Sequence, residues 1–303
     1  MKKIAIIFPI LLLLDLVLIT KSDELGDLLD SLITGVSDDK LNNIINHLRS
    51  LLNGILDLTQ QELLKLVEVL NLLKSMGIEV TEEKLKLTAQ RVVLINGLTN
   101  GIWTAKLGFF SLLPDEDQKK LSGVTDIEME TVTGIETIRN KRQTSNSTKK
   151  CNYTTEFDVR DKWPKCSSFL NHCTNKTWGV PYDADRKNYV ITSGTLKGEQ
   201  AIKDELYKNG PVVAIFNVYK DFYHYADGED GVYFYVSGDY DKPHAVVIVG
   251  YGTAYCEYEK IPYWIIRNSW GTSQNLTGFL KFKRGNNECG IDANLSFGIP
   301  KIN

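Results

Sequence analysis

From about residue 23 to residue 100 the apolar positions recur at intervals of three and four: Leu41, Ile44, Ile45, Leu48 and Leu52, then Leu63, Leu66, Val67 and Leu70. That period places side chains on one face of an α-helix, so three or four amphipathic helices are expected here. Start and stop signals agree with it. Thr59 with Glu62 reads as a capping box, Ser37 and Thr81 as N-caps, and Gly77 as a C-cap. A lipid-binding helical module would carry a similar stripe, but leucines at this spacing mark helices packed on their neighbours.

Beyond Cys151 the pattern shortens. Residues 212–218, 231–236, 245–249, 263–267 and 278–283 are brief apolar or aromatic runs bounded by Gly, Pro and Asp, which predicts strands. One helix is expected among them, over 199–208, stopped by Asn209-Gly210-Pro211. The second half therefore reads as an antiparallel, barrel-like sheet with a helix on its flank. No internal repeat or low-complexity tract interrupts either half.

The ends and the join carry processing signals. Lys2 and Lys3 precede an apolar stretch over 4–14, the layout of a signal peptide, assigned to residues 1–21. Pro9 and Asp15 break a stretch already short of the roughly 20 apolar residues a membrane span needs, so no anchor is expected once the signal is removed. Arg139-Asn140-Lys141-Arg142 opens a polar linker, and cleavage after Arg142 is expected. Sequons stand at Asn146, Asn152, Asn175, Asn275 and Asn294, all in the second half. The 5 cysteines, Cys151, Cys166, Cys173, Cys256 and Cys289, lie there too, as in a disulfide-bearing domain beside a cysteine-free pro-region. Their number is odd, so one thiol stays free or pairs with another chain. A net charge of -3 gives no basic excess, and no basic patch points to nucleic acid. His47, His172, His224 and His244 are scattered without the paired spacing of a zinc site, so neither metal nor cofactor is expected.

The chemistry sits in two strings. Pro243-His244-Ala245-Val246-Val247-Ile248-Val249-Gly250-Tyr251-Gly252 puts a histidine at the head of one strand, and Tyr263-Trp264-Ile265-Ile266-Arg267-Asn268-Ser269-Trp270-Gly271 puts an asparagine at the end of the next. Both side chains can then meet at one rim of the sheet. A thiol protease needs an imidazole to pair with its thiolate and an amide oxygen to fix that ring through its second nitrogen. Trp270 is placed to keep water off the bond.

With these strings the chain resembles the papain family and, within it, the cathepsin B subfamily. The likeness includes residues 209–222, residues 231–238, Cys289-Gly290-Ile291, and Gly298-Ile299-Pro300 near the end. Phe157-Asp158-Val159-Arg160, leading to Trp163-Pro164-Lys165-Cys166, is similar to the start of the mature cathepsin B chain, while Ile102-Trp103-Thr104-Ala105-Lys106 and residues 119–124 resemble its propeptide. The resemblance implies an α+β protein with four segments. They are the signal peptide over 1–21, a helical region over 22–94, a propeptide remnant over 95–142, and a papain-like domain over 143–303 in which the barrel-like right lobe is kept. It casts His244 and Asn268 as remnants of a Cys-His-Asn set, with Trp270 in support.

One interruption bears on function. The family's Gln and its Gly-Ser-Cys-Gly-Ser-Cys-Trp string, which supply the oxyanion hole and the nucleophile, have no match here. The family's Cys stands about 130 to 150 residues before its His, and even the earliest cysteine, Cys151, is too close to His244 to fill that place. Likeness stops after Cys166 and resumes between Cys173 and Tyr189, so the helical left lobe is expected to be largely missing. At the position five after Cys289, where cathepsin B carries an acid in its specificity pocket, this chain has Asn294. Three readings follow. The first is a secreted or lysosomal homologue that is catalytically silent as written. The second is an active cysteine-type endopeptidase of which this is an incomplete or alternatively spliced form. The third is a propeptide-like inhibitor or binding protein. A polypeptide substrate or another protease is the expected partner, and a dimer through the bared barrel face or the odd cysteine is a further expectation.

Overall fold

The computed structural model describes residues 24–33, 37–122, 124, 151–164, 190–257, 259–271 and 277–300. The signal stretch, Arg142, Asn146, Asn175, Asn275, Cys166, Cys173 and His172 lie outside the described residues. The chain divides into two units between Arg91 and Val92, inside a helix.

The first unit is helical: α1 (Glu24–Ile33), α2 (Asp38–Leu52), α3 (Gln60–Ser75) and the start of α4 (Glu82–Thr99). The caps form as their chemistry directs. The Ser37 hydroxyl accepts the Lys40 N–H, Thr59 and Glu62 make the reciprocal box, and the Thr81 hydroxyl accepts from the Lys84 N–H. Gly77 follows α3 with φ +78°, the left-handed geometry that closes a helix. Ile44, Ile45, Leu48, Leu52, Leu63, Leu66, Val67 and Leu70 are buried, whereas Leu41 is only half-covered. Lys74 ties α3 to α1 through Asp30 and the Gly26 carbonyl. His47 on α2 reaches Glu82 at 3.0 Å.

In the second unit, after α4 come two short helices, α5 (Phe109–Leu112) and α6 (Asp115–Leu121). The sheet follows, as β1 (Asn152–Asp158), α7 (Val159–Lys162), β2 (Val190–Leu196), α8 (Glu199–Lys208), β3 (Val212–Tyr219), α9 (Lys220–Ala226), β4 (Tyr240–Tyr255), β5 (Lys260–Arg267), β6 (Phe279–Lys283) and β7 (Leu295–Pro300). All pairings are antiparallel, in the order β2-β7-β3-β4-β5-β6, and the 16-residue β4 also carries β1 along its later half. Alternation sets the register: Ile248 faces Ile266, and Val246, Ile248, Trp264 and Ile266 are all buried. A one-residue slip would turn each of them outward.

Residues 231–236 do not form the strand that their composition predicts. They make two isolated bridges, Trp103 with Gly231 and Tyr233 with Phe282. The reason is competition from a side chain. The buried Asp221 carboxylate takes the N–H groups of Val236 and Ser237 as well as the Tyr233 hydroxyl, and so fixes a loop where a ladder would need those donors. Helix α9, unmarked by any capping pair, and β1, polar at most positions, are further elements that the sequence pattern does not announce.

Candidate functional site

The long strand β4 brings His244 beside Phe216 of β3, its partner in register. β5 ends one residue before Asn268, whose backbone N–H is taken by the Gly278 carbonyl. Because Val247 pairs with Arg267, His244 and Asn268 are diagonal neighbours on the same face of the sheet, within reach of side chains of their length. The contact is made: His244 Nε2 lies 2.8 Å from Asn268 Oδ1. Both side chains are buried, at 1% and 8% exposure.

The proton arrangement follows from Asn268. Its Oδ1 also accepts the Ser269 N–H at 2.9 Å, so it serves as the acceptor, and His244 Nε2 must donate. In the neutral ring this leaves Nδ1 as a bare lone pair. That atom is buried and has no hydrogen-bond partner among the described residues. Burial pulls the His244 pKa below its ordinary value of 6.5, against the bond that the ring donates to Asn268, which favours the charged form. The ring is therefore a neutral base with one nitrogen fixed and the other open to a proton.

Trp270 closes the site. Its ring lies 5.1 Å from that of His244. Tyr223 stacks on it at 5.4 Å, while Phe222 and Phe110 contact it at 5.3 and 5.1 Å. Its indole N–H donates to the Leu121 carbonyl at 3.1 Å. Residues well before the sheet thus take part in the cover over His244. No signal in the sequence pointed to Phe110 or to the Leu121 carbonyl.

The remaining site residues stand apart. Asn294 is exposed just before β7, and its carbonyl accepts the Ile215 N–H. Two positions earlier the buried Asp292 is held by the Trp264 indole N–H at 2.7 Å. Asn152 is exposed at the start of β1. Cys151 and Cys256 form a disulfide, and Cys289 is a free, buried thiol whose pKa burial pushes well up, beside Glu288. A thiol held protonated in this way is a poor nucleophile. No cluster of three or more metal-ligating side chains occurs among the described residues, and none of their helices is long and apolar enough to cross a membrane.

A family model described as papain family cysteine protease matches residues 130–299. Among curated proteins, cathepsin B-like cysteine proteinase 4 of Caenorhabditis elegans is 36% identical over an alignment of 147 residues that covers 46% of this chain and 42% of that protein. Cathepsin B-like cysteine proteinase 3 of the same organism is 46% identical over 114 residues, 38% of this chain and 28% of that one. Cathepsin B-like protease 1 of Arabidopsis thaliana is 37% identical over 140 residues, 45% and 33% of the two chains. The matched part is thus less than half the length of each of these relatives. Among solved structures, proCathepsin B S9 from Trypanosoma congolense is similar with a TM-score of 0.51 at 22% identity, covering 70% of this chain and 98% of that one, a likeness of fold.

Proposed function

The chain belongs to the papain family of cysteine proteases, with cathepsin B-like homologues, and from that premise we propose that it is a secreted, catalytically silent member. It keeps the base and the orienting amide of the hydrolytic set without the thiol. The observation that carries this reading is the state of the His244 ring: Nε2 held by Asn268, Nδ1 buried and unpartnered. In a thiol protease that second nitrogen takes the proton of the attacking sulfur and later returns it to the leaving amine. Among the described cysteines none is suited to it, since Cys151 and Cys256 are joined and Cys289 is a buried, protonated thiol. Cys166 and Cys173 lack the flanking Gly-Ser and Trp of the family's nucleophile. An imidazole without a thiolate cannot form the acyl-enzyme.

Entry into the secretory pathway is supported by the Cys151–Cys256 disulfide, a bond that persists in oxidising compartments. Exposure of Asn152 and Asn294 suits their use as glycan acceptors. The loss of an acid at Asn294 removes the charge that would select basic side chains. Treating the purified secreted protein with a peptidyl epoxide that alkylates active-site thiols tests the reading. No stoichiometric labelling and no hydrolysis of peptidyl amides are expected. Labelling that disappears on changing one cysteine would overturn it.

A further inference from the structure

Asn152 opens β1 and is the first residue of the sequon Asn152-Tyr153-Thr154. The first five residues of that strand are exposed, and among the described strands it pairs only with β4. Its hold on the sheet therefore rests on one ladder and on whatever braces the ladder's end. Directly across from Asn152 stands a tyrosine: β1 runs antiparallel to β4, and the register sets Asn152 opposite Tyr255. Side chains opposed in this way rise from the same face of a sheet, with Cβ atoms roughly 4.5 to 5.5 Å apart. On the other side of Tyr255 is Lys260 of β5, its partner in the next ladder. Asn152, Tyr255 and Lys260 thus form a row across three strands, and all three are exposed.

The row is unequally filled. From the β5 side, Lys260 brings its ammonium 5.3 Å from the centre of the Tyr255 ring, a cation on the aromatic face. From the β1 side comes only the short Asn152 side chain, and Tyr255 stays 44% exposed. The Cys151–Cys256 disulfide joins the residues next to these two, so Asn152 and Tyr255 are held opposite each other at the end of the ladder. A sugar ring attached to the Asn152 amide would rise beside the phenol ring. One face of such a ring presents C–H bonds with slight positive charge, and the face of an aromatic ring is negative, so the two attract. Because the disulfide already fixes the pair, little further order is needed to bring them together.

We propose that Asn152 carries an N-linked glycan whose first sugar stacks on Tyr255 and so clasps β1 to β4. The inference rests on the reading of the chain as secreted, and it goes beyond the exposure of the acceptor by naming the ring that receives the sugar. In the transfer, Nδ2 of Asn152 forms a bond to the anomeric carbon of an oligosaccharide carried on a lipid pyrophosphate. The bond from that carbon to the pyrophosphate oxygen breaks, the lipid pyrophosphate leaves with the electron pair, and the amide nitrogen gives up one proton. Thr154 supplies the hydroxyl residue that the acceptor sequence requires. The product amide is uncharged, so the glycan adds bulk and hydroxyl groups beside Tyr255 without a new charge beside Lys260.

The test begins with the full chain secreted from a eukaryotic cell and its glycopeptides mapped by mass spectrometry. Occupancy of Asn152 is expected. If Asn146, Asn175, Asn275 or Asn294 carries sugar and Asn152 does not, the inference fails while the secreted reading stands; if no sequon is occupied, both fail. Thermal unfolding is then followed by tryptophan fluorescence in the unaltered protein, Asn152→Gln, Tyr255→Ala and the double variant. Loss of the stacked sugar is expected to lower the midpoint by about 2 to 4 °C in a unit of this size. Tyr255→Ala should cost less in the chain that lacks the sugar than in the chain that has it, since both changes remove one contact. Additive shifts overturn the proposal. Should Asn152→Gln not be secreted, an amidase that strips glycans from the folded protein gives the same comparison: stripping should lower the midpoint of the unaltered protein more than that of Tyr255→Ala. Equal drops in the two overturn the stacking.

Discussion

At the scale of single residues, the bond between His244 Nε2 and Asn268 Oδ1 ties the proton of a buried imidazole to the stability of the sheet unit. A histidine heading one strand and an asparagine ending the next, each with its flanking string, were enough to expect a pair at one rim. That Nδ1 is the buried, open nitrogen came only from the acceptor role imposed on Asn268 by Ser269. The depressed pKa of His244 has a stability consequence whose sign can be worked out. Its folded-state value lies below 6.5, so as pH falls the unfolded chain takes up the proton first. Stability from the neutral ring is present above pH 6.5 and is lost as the pH drops below that value toward the folded one, with a slope of at most about 1.4 kcal/mol per pH unit. His244→Gln is expected to flatten this slope between pH 7 and pH 5 in denaturant titrations followed by tryptophan fluorescence. All 5 tryptophans lie beyond Val92, so the signal reports the sheet unit. Equal slopes in the two proteins would remove His244 as the source. By the same logic Asn268→Ala deletes the bond that favours the charged ring, and the imidazole should titrate lower still by NMR.

At the scale of elements, periodicity served where an element buries one clean face and failed where the face is shared or supplied by distant residues. The helices of the first unit were legible because their leucines fall at helical spacing and their caps are local. β1 was not, because most of its residues face solvent and it is held by pairing with β4 and by the disulfide beside it. The 231–236 run misled for the opposite reason: Val232 and Tyr233 are buried, but in a loop whose Val236 and Ser237 N–H groups go to Asp221. That loop yields a sharp prediction. Gly231→Ala adds a Cβ against the Ile102 carbonyl at a left-handed φ, and should destabilise the sheet unit by about 1 to 3 kcal/mol from backbone strain, with the clash adding to it. Trp103→Ala, on the other side of the same contact, should lose about 3 to 5 kcal/mol through the cavity it leaves. The two residues touch, so the double variant should fall short of the sum of the singles. Full additivity in unfolding midpoints would mean that they are not one interface.

At the scale of the whole molecule, the disulfide decides how the second unit behaves once the linker is cut. Cys151 stands at the start of β1 and Cys256 at the end of β4, closing a loop of 105 residues in sequence. A loop of that length restricts the unfolded chain by about 4 to 5 kcal/mol in the chain-entropy account, and removal of a native bridge typically costs about 2 to 5 kcal/mol. The effect should be uneven. Among the described strands β1 pairs only with β4, and it shows most of its side chains to water, whereas β3, β4 and β5 share the core of Phe216, Ile248, Trp264 and Ile266. Changing Cys151 and Cys256 together to Ser is therefore expected to lower the unfolding midpoint of the unit and, before that, to free β1 locally. Hydrogen exchange should separate the two events: the amides of residues 152–158 should lose protection ahead of those in β3 and β5. If β1 keeps the protection of its neighbours after both cysteines are replaced, its ladder with β4 suffices alone, and the bridge acts only on the unfolded chain.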